Sequence, residues 1–195
     1  EKANIAVLVS GGGTNLQALI DAQASGIIKS GKITLVVSNN PNAYALERAA
    51  RAGIEAKVVQ KHKEGAVAAP GAIEAHGQAD FETKVMELLD SHDIDLIILA
   101  GFMSILSKTF TDHYPERIIN VHPALIPSFC GEGFYGLRVH QAALDYGVKV
   151  TGATVHFVNE IPDGGKIILQ KAVEIQDGDT PEVLQKRVME QAEWI

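Results

Sequence analysis

Two polar residues at one strand end, and one acid further along, are the groups in this chain best suited to chemistry. Asn120 and His122 stand two apart in Ile118-Ile119-Asn120-Val121-His122, so on an extended backbone both side chains leave the same face. Pro123 then ends the pairing. An amide donor beside an imidazole suits the stabilisation of a carbonyl oxygen as it becomes an oxyanion. An imidazole also passes protons near neutral pH. The plain alternative is a capped strand end with a satisfied histidine. Asp163, in Asp163-Gly164-Gly165, reads either as an ordinary hairpin-turn aspartate or as a carboxylate that orients His122 and favours its charged form. The other histidines (His62, His76, His92, His113, His140, His156) have no metal-ligand spacing, and no metal site is expected. Cys130 lies in a Ser/Gly-rich loop with no base at hand and is read as incidental.

A second candidate is built from backbone. Ser10-Gly11-Gly12-Gly13-Thr14-Asn15 joins a strand to a helix, the place where ligands meet an open α/β sheet. Glycines admit a close backbone approach, and the first amides of a helix present donors at a positive dipole end. This makes a phosphate cradle, with Thr14 and Asn15 adding side-chain donors; a tight turn that merely starts a helix is the alternative. A dinucleotide fingerprint fails, because its third glycine falls at Leu16 and the second strand ends Ser38-Asn39-Asn40 without an acid. A P-loop fails for want of a lysine after the glycines. A phosphate monoester fits better than a nicotinamide cofactor.

Alternating elements must position both sites. Strands are expected at Ile5–Val9, Ile33–Val37, Glu55–Val59, Leu96–Ala100 and Ile118–His122, and helices at Leu16–Ala24, Ala43–Ala52 and Phe81–Leu89. That order predicts an α/β fold, an open, mostly parallel twisted sheet with helices on both faces. After Thr151 the pattern changes. Thr154–Val158 and Lys166–Val173 are joined by too short a loop for a crossover helix, so an antiparallel late strand pair is expected. The Ala- and Gly-rich stretch Lys61–Gln78 reads as an insertion or loop, and Thr180–Ile195 as a helix. We expect one domain over 1–195, with a phosphate-binding half of about 1–100 and a catalytic half of about 101–195.

Bulk properties narrow the partners. With 195 residues, 46% of them hydrophobic, the chain can bury a sizeable core. A net charge of −7 repels nucleic acid and acidic membranes, so an anionic ligand needs a local device. One cysteine allows no intrachain disulfide, which fits a reducing cytoplasm. No apolar run reaches the ~18 residues of a membrane span. The start does not read as a signal peptide, because its apolar stretch breaks at Ser10. Glu1 in place of a methionine points to a trimmed or renumbered start, and the helical pattern running to Ile195 to a polypeptide that continues.

Several segments, in order and spacing, make the chain from about Ile5 onward similar to the phosphoribosylglycinamide formyltransferases. They are Leu8-Val9-Ser10-Gly11-Gly12-Gly13-Thr14-Asn15-Leu16-Gln17, Leu99-Ala100-Gly101-Phe102-Met103-Ser104-Ile105-Leu106, Ile119-Asn120-Val121-His122-Pro123-Ala124-Leu125-Ile126-Pro127, and Thr151 to Glu160 followed by Asp163-Gly164-Gly165. The resemblance implies that Asn120, His122 and Asp163 are the catalytic trio. It implies that Gly13, Thr14 and Asn15 hold the phosphate of glycinamide ribonucleotide. It places Met103, Ser104, Ile105 and Leu106, together with Asn120 and Asn159-Glu160-Ile161-Pro162-Asp163, around 10-formyltetrahydrofolate, the co-substrate.

The family also uses a glutamate near its C-terminal end to hold the substrate amine. Glu193 matches if one residue is inserted after Arg187, and Glu190 is the rival. Two departures bear on affinity: the loop Cys130–Val139 is longer than in many members, and Gln78 stands where some carry a folate-touching arginine. The implied protein is a cytoplasmic enzyme of purine biosynthesis, monomer or homodimer, acting on small molecules. A 10-formyltetrahydrofolate hydrolase and a non-catalytic folate or nucleotide binding module are the alternatives. A methionyl-tRNA formyltransferase would need a second, RNA-binding domain.

Overall fold

The computed structural model describes residues 1–194; Ile195, the last residue of the helix expected over 180–195, lies outside the described residues. The chain divides into two compact units, one over Glu1–Leu106 and one from Ser107 onward. The first unit alternates β1 (Ala3–Val9), α1 (Thr14–Ala24), β2 (Gly31–Ser38), α2 (Tyr44–Arg51), β3 (Glu55–Lys61), β4 (Ile73–Ala75), α3 (Gln78–Ser91) and β5 (Leu96–Leu99). Its strands lie in the order β4-β3-β2-β1-β5, and their pairings are parallel, as the alternation predicts.

Strand β1 shows why. Ile5 through Val9 are all buried, so residues of both alternations are covered and the strand is apolar on both faces. Ile5, Val7 and Val9 share a core with Leu16 of α1 and Ala45 and Ala49 of α2. Leu16 is fully buried there, and its truncation to Ala is worth about 2–5 kcal/mol.

The second unit contains α4 (Lys108–His113), β6 (Ile118–His122), α5 (Leu137–Tyr146), β7 (Val150–Phe157), β8 (Ile167–Glu174) and α6 (Pro181–Val188). β7 and β8 are antiparallel, as their short connection requires. β7 is also antiparallel to β6. Thr180 caps α6, its side chain accepting from Val183 N–H at 3.3 Å with Pro181 in the first turn. Leu184, Val188 and Ala192 then pack on Ala153 and Val173.

Three elements depart from expectation. The stretch 61–78 is not wholly a loop, since it holds β4 and the first residue of α3. β4 exists through its pairing with β3, Val59 opposite Ile73, which local pattern does not announce. The loop expected over Cys130–Val139 ends in α5, and α4 occupies six residues read as connection.

Candidate active site

Strand register assembles the polar cluster of the second unit. In the β6–β7 pair, Asn120 lies opposite His156 and His122 opposite Thr154. Opposed residues of an antiparallel pair meet on one face, and Asn120 Nδ2 stands 3.4 Å from His156 Nε2. The chain then turns between β7 and β8, and Asp163 sits in that turn with a left-handed φ of 56°. Gly165 is required there: a Cβ on it would lie 1.6 Å from the Phe157 carbonyl oxygen.

The turn delivers the carboxylate between two histidines. Asp163 Oδ2 is 3.5 Å from His122 Nδ1, and Oδ1 is 3.6 Å from His156 Nε2. Oδ2 also accepts from the Gly131 N–H at 2.9 Å. Burial pushes the Asp163 carboxyl up, but the His156 contact, the Gly131 N–H and the histidine charges outweigh it and hold its pKa below the usual carboxylate value.

Each neighbour has a defined hydrogen-bonding role. His122 is 4% exposed; its Nε2 lies 2.8 Å from the Phe129 carbonyl and its Nδ1 faces Asp163. Both ring nitrogens thus face oxygen acceptors. His156 sets its Nδ1 2.8 Å from the Phe157 carbonyl, which places a proton there and turns Nε2 towards the Asn120 amide and Asp163. Asn120 Nδ2 carries two hydrogens, so its contact with the His156 ring leaves at least one for an oxygen ligand.

Behind them, His140 of α5 is buried, and among the described residues neither ring nitrogen has a hydrogen-bond partner. Burial first, then the charge of His122, pulls its pKa down to about 4. Cys130 lies near the cluster, with its Sγ donating to the Pro127 carbonyl; burial and then the Asp163 charge push the thiol up, against a nucleophilic thiolate.

The glycine turn lies in the first unit. Gly13 is left-handed, with φ 76°, and caps α1 with no side-chain hydrogen bond. A Cβ on Gly13 would meet Ala45 Cβ at 2.7 Å, so glycine is required for α1 and α2 to pack. Met103 N–H donates to Ser10 Oγ at 2.8 Å, tying the Met103–Leu106 segment to the turn. Met103 and Ile105 are exposed and Ser104 is half-buried. Leu106 is 4% exposed with its side chain in the core, which leaves its backbone to meet a ligand. Gln78 Nε2 donates to the Ile105 carbonyl at 3.3 Å and to Glu82 at 2.8 Å. In the second unit, Asn159 Oδ1 accepts from Ile161 N–H at 3.0 Å, shaping a turn in which Glu160, Ile161 and Pro162 are exposed.

A family model, the formyl transferase family, matches residues 3–195. The chain belongs to that family. It is 41% identical over 189 residues to the trifunctional purine biosynthetic protein adenosine-3 of Gallus gallus, covering 97% of this chain and 17% of that protein. It is 40% identical over 187 residues to phosphoribosylglycinamide formyltransferase of Haemophilus influenzae, covering 96% of this chain and 80% of that one. Among solved structures, glycinamide ribonucleotide transformylase 1 from Symbiobacterium toebii matches with a TM-score of 0.84 and 39% identity, over 97% of this chain and 82% of that one. The fold of this formyl transferase chain is therefore that of the transformylases.

Two features of this family member were not legible in its sequence. His156 joins the Asn120–Asp163 cluster only through β6–β7 register; its place in His156-Phe157, far from Asn120, carried no signal. The second feature lies at the C-terminal end, where α6 passes into a π-turn over Met189–Glu193. A π-turn is what one extra residue makes of an α-helix, and it falls where the alignment needs its insertion. Glu190 is exposed and 4.0 Å from Lys186, whereas Glu193 is half-buried beside the packed Ala192. Among the described residues no group of three or more His, Cys, Asp or Glu side chains is arranged to hold a metal ion, and no helix is long and apolar enough to cross a membrane.

Proposed function

We propose that this chain transfers the formyl group of 10-formyltetrahydrofolate to the glycinamide amine of glycinamide ribonucleotide, a step of purine biosynthesis. The observation that carries this reading is the Asp163 carboxylate set between His122 and His156, with Asn120 beside them, in a member of the formyl transferase family. The amine nitrogen attacks the formyl carbon, and a nitrogen–carbon bond forms as the carbonyl becomes a tetrahedral oxyanion. Asn120 Nδ2 and the His122 imidazolium donate to that oxygen, and Asp163 keeps His122 charged and placed. The bond from carbon to the folate nitrogen then breaks. The amine proton passes to the departing nitrogen through His122 or water. The Phe129 carbonyl now holds His122 Nε2, so donation from that nitrogen requires the carbonyl to yield its place.

The remaining roles are part of the same proposal. Gly13, Thr14 and Asn15 hold the ribonucleotide phosphate, and Glu193 its amine; the π-turn supports Glu193 over Glu190, because it absorbs the inserted residue. Met103, Ser104, Ile105 and Leu106, with Asn120 and Asn159 to Asp163, hold the folate. We further propose a single domain whose first unit serves the phosphate and whose second serves the chemistry. It acts in the cytoplasm as a monomer or homodimer on small molecules, without nucleic acid. The test is to follow deformylation of 10-formyltetrahydrofolate with and without glycinamide ribonucleotide. Release that depends on the ribonucleotide is expected. Release without it makes the chain a hydrolase, and no release makes it a binding module.

A further inference from the structure

The segment after β2 grips the glycine turn by its carbonyls. Ser10 O accepts from Asn40 Nδ2 at 3.2 Å, Gly11 O from the Ala45 N–H at 3.0 Å, and Gly12 O from Arg48 Nε at 2.7 Å. Gly13 O accepts from Gln17 N–H at 2.9 Å, the first bond of α1. In a planar trans peptide the C=O and the following N–H point in opposite directions. Each held carbonyl therefore turns the next N–H, those of Gly11, Gly12 and Gly13, away from its donor.

Glycine has no side chain to resist rotation of these planes. A rotated plane would offer a carbonyl, which repels an anion. Of the three donors, Arg48 is the charged one, and its own position is fixed. Its guanidinium carbon lies 4.9 Å from the centre of the Tyr44 ring, and Nη1 is 3.4 Å from Gln17 Oε1.

We infer that Arg48 is a positioning residue that sets the polarity of the glycine turn: by holding Gly12 O it locks the Gly12–Gly13 peptide with its N–H outward, which makes the turn a receptor for a phosphate monoester. The inference rests on the phosphate role proposed above. It also explains how a chain of net charge −7 selects an anion with a local device.

The test titrates the full chain with inorganic phosphate, following the amide signals of Gly11, Gly12 and Gly13, and compares wild type with Arg48→Met and Arg48→Lys. A charge-assisted hydrogen bond of this kind corresponds to about a tenfold rise in the phosphate dissociation constant and in KM for the ribonucleotide in Arg48→Met, with kcat and the folate KM held within about twofold. Arg48→Lys keeps the charge but not the planar fork, so it recovers only part of the loss. Phosphate binding by Arg48→Met or Arg48→Lys equal to wild type overturns the inference; Arg48→Lys alone decides if Arg48→Met does not fold. Wild type that binds phosphate at the turn but transfers no formyl group sinks the activity and leaves the inference standing.

Discussion

In the proposed reading the glycine turn and the β6–β7 face meet the same need, donors aimed at a negative oxygen, by opposite means. At the turn the donors are backbone amides of residues contiguous in sequence, and the Arg48 side chain and Ala45 N–H of α2, with the Asn40 side chain before it, hold the turn from behind. On the β6–β7 face the donors are the Asn120 and His122 side chains of β6, set by His156 across the register and by the Asp163 carboxylate from one turn. A backbone site is robust to charge but sensitive to an added Cβ where the packing is tight, here at Gly13. A side-chain site is tolerant of shape but depends on each partner's protonation.

The largest expected contrast follows from removing charge on the side-chain site. Asp163→Asn leaves His122 and His156 without their shared anion. By analogy with a carboxylate that orients a catalytic histidine, kcat should fall on the order of 10²–10⁴-fold, while the ribonucleotide dissociation constant stays near wild type. Equal loss in both quantities would mean that Asp163 supports the fold rather than the chemistry.

Next comes the pH dependence of stability, which belongs to the second unit. The folded pKa of His140, about 4, is depressed from 6.5. Its neutral form is favoured on folding, so this stability is complete above pH 6.5 and is lost as pH falls towards 4. The difference corresponds to something on the order of 3 kcal/mol. Asp163, also depressed, adds a loss only below its usual value of 3.8. His140→Phe removes two buried polar atoms without partners, so it should flatten the decline between pH 6.5 and 4 in denaturant titrations. An unchanged decline would assign that titration to other groups.

A substitution at the turn should be smaller and of a different kind. Gly13→Ala puts a side chain at φ 76° and against Ala45, costing about 1–3 kcal/mol of stability with a raised ribonucleotide KM. An unaltered midpoint and KM would show that the turn relaxes freely. The smallest expected effect separates two acids. Glu190→Gln removes an exposed pair with Lys186 and should change stability by no more than about 0.5 kcal/mol, with activity intact. Glu193→Gln should raise the ribonucleotide KM; the reverse pattern would return the amine to Glu190.

The same comparison accounts for what could be read from sequence. The turn was legible as a strand-to-helix junction because its glycines are contiguous in Ser10 to Asn15. Asn120 and His122 were legible as a pair because strand periodicity alone puts them on one face. Asp163 was ambiguous, since a turn aspartate and an orienting carboxylate look alike until the β7–β8 hairpin is built. His156 was invisible, because its partnership depends on β6 pairing antiparallel with β7. β4 and α4 were missed as three- and six-residue elements held by tertiary contacts. α5 was missed because Leu137-Arg138-Val139-His140 interleaves charge with apolar residues and buries a histidine.

The central claim is that Asn120 and His122 stabilise an oxyanion formed from the formyl group. Single-turnover formyl transfer by Asn120→Ala and His122→Ala, with both substrates saturating, tests it most directly. Losing one well-aimed oxyanion donor predicts a fall in rate of about 10²–10³ in each variant. A rate like that of the wild type in either variant would contradict the account.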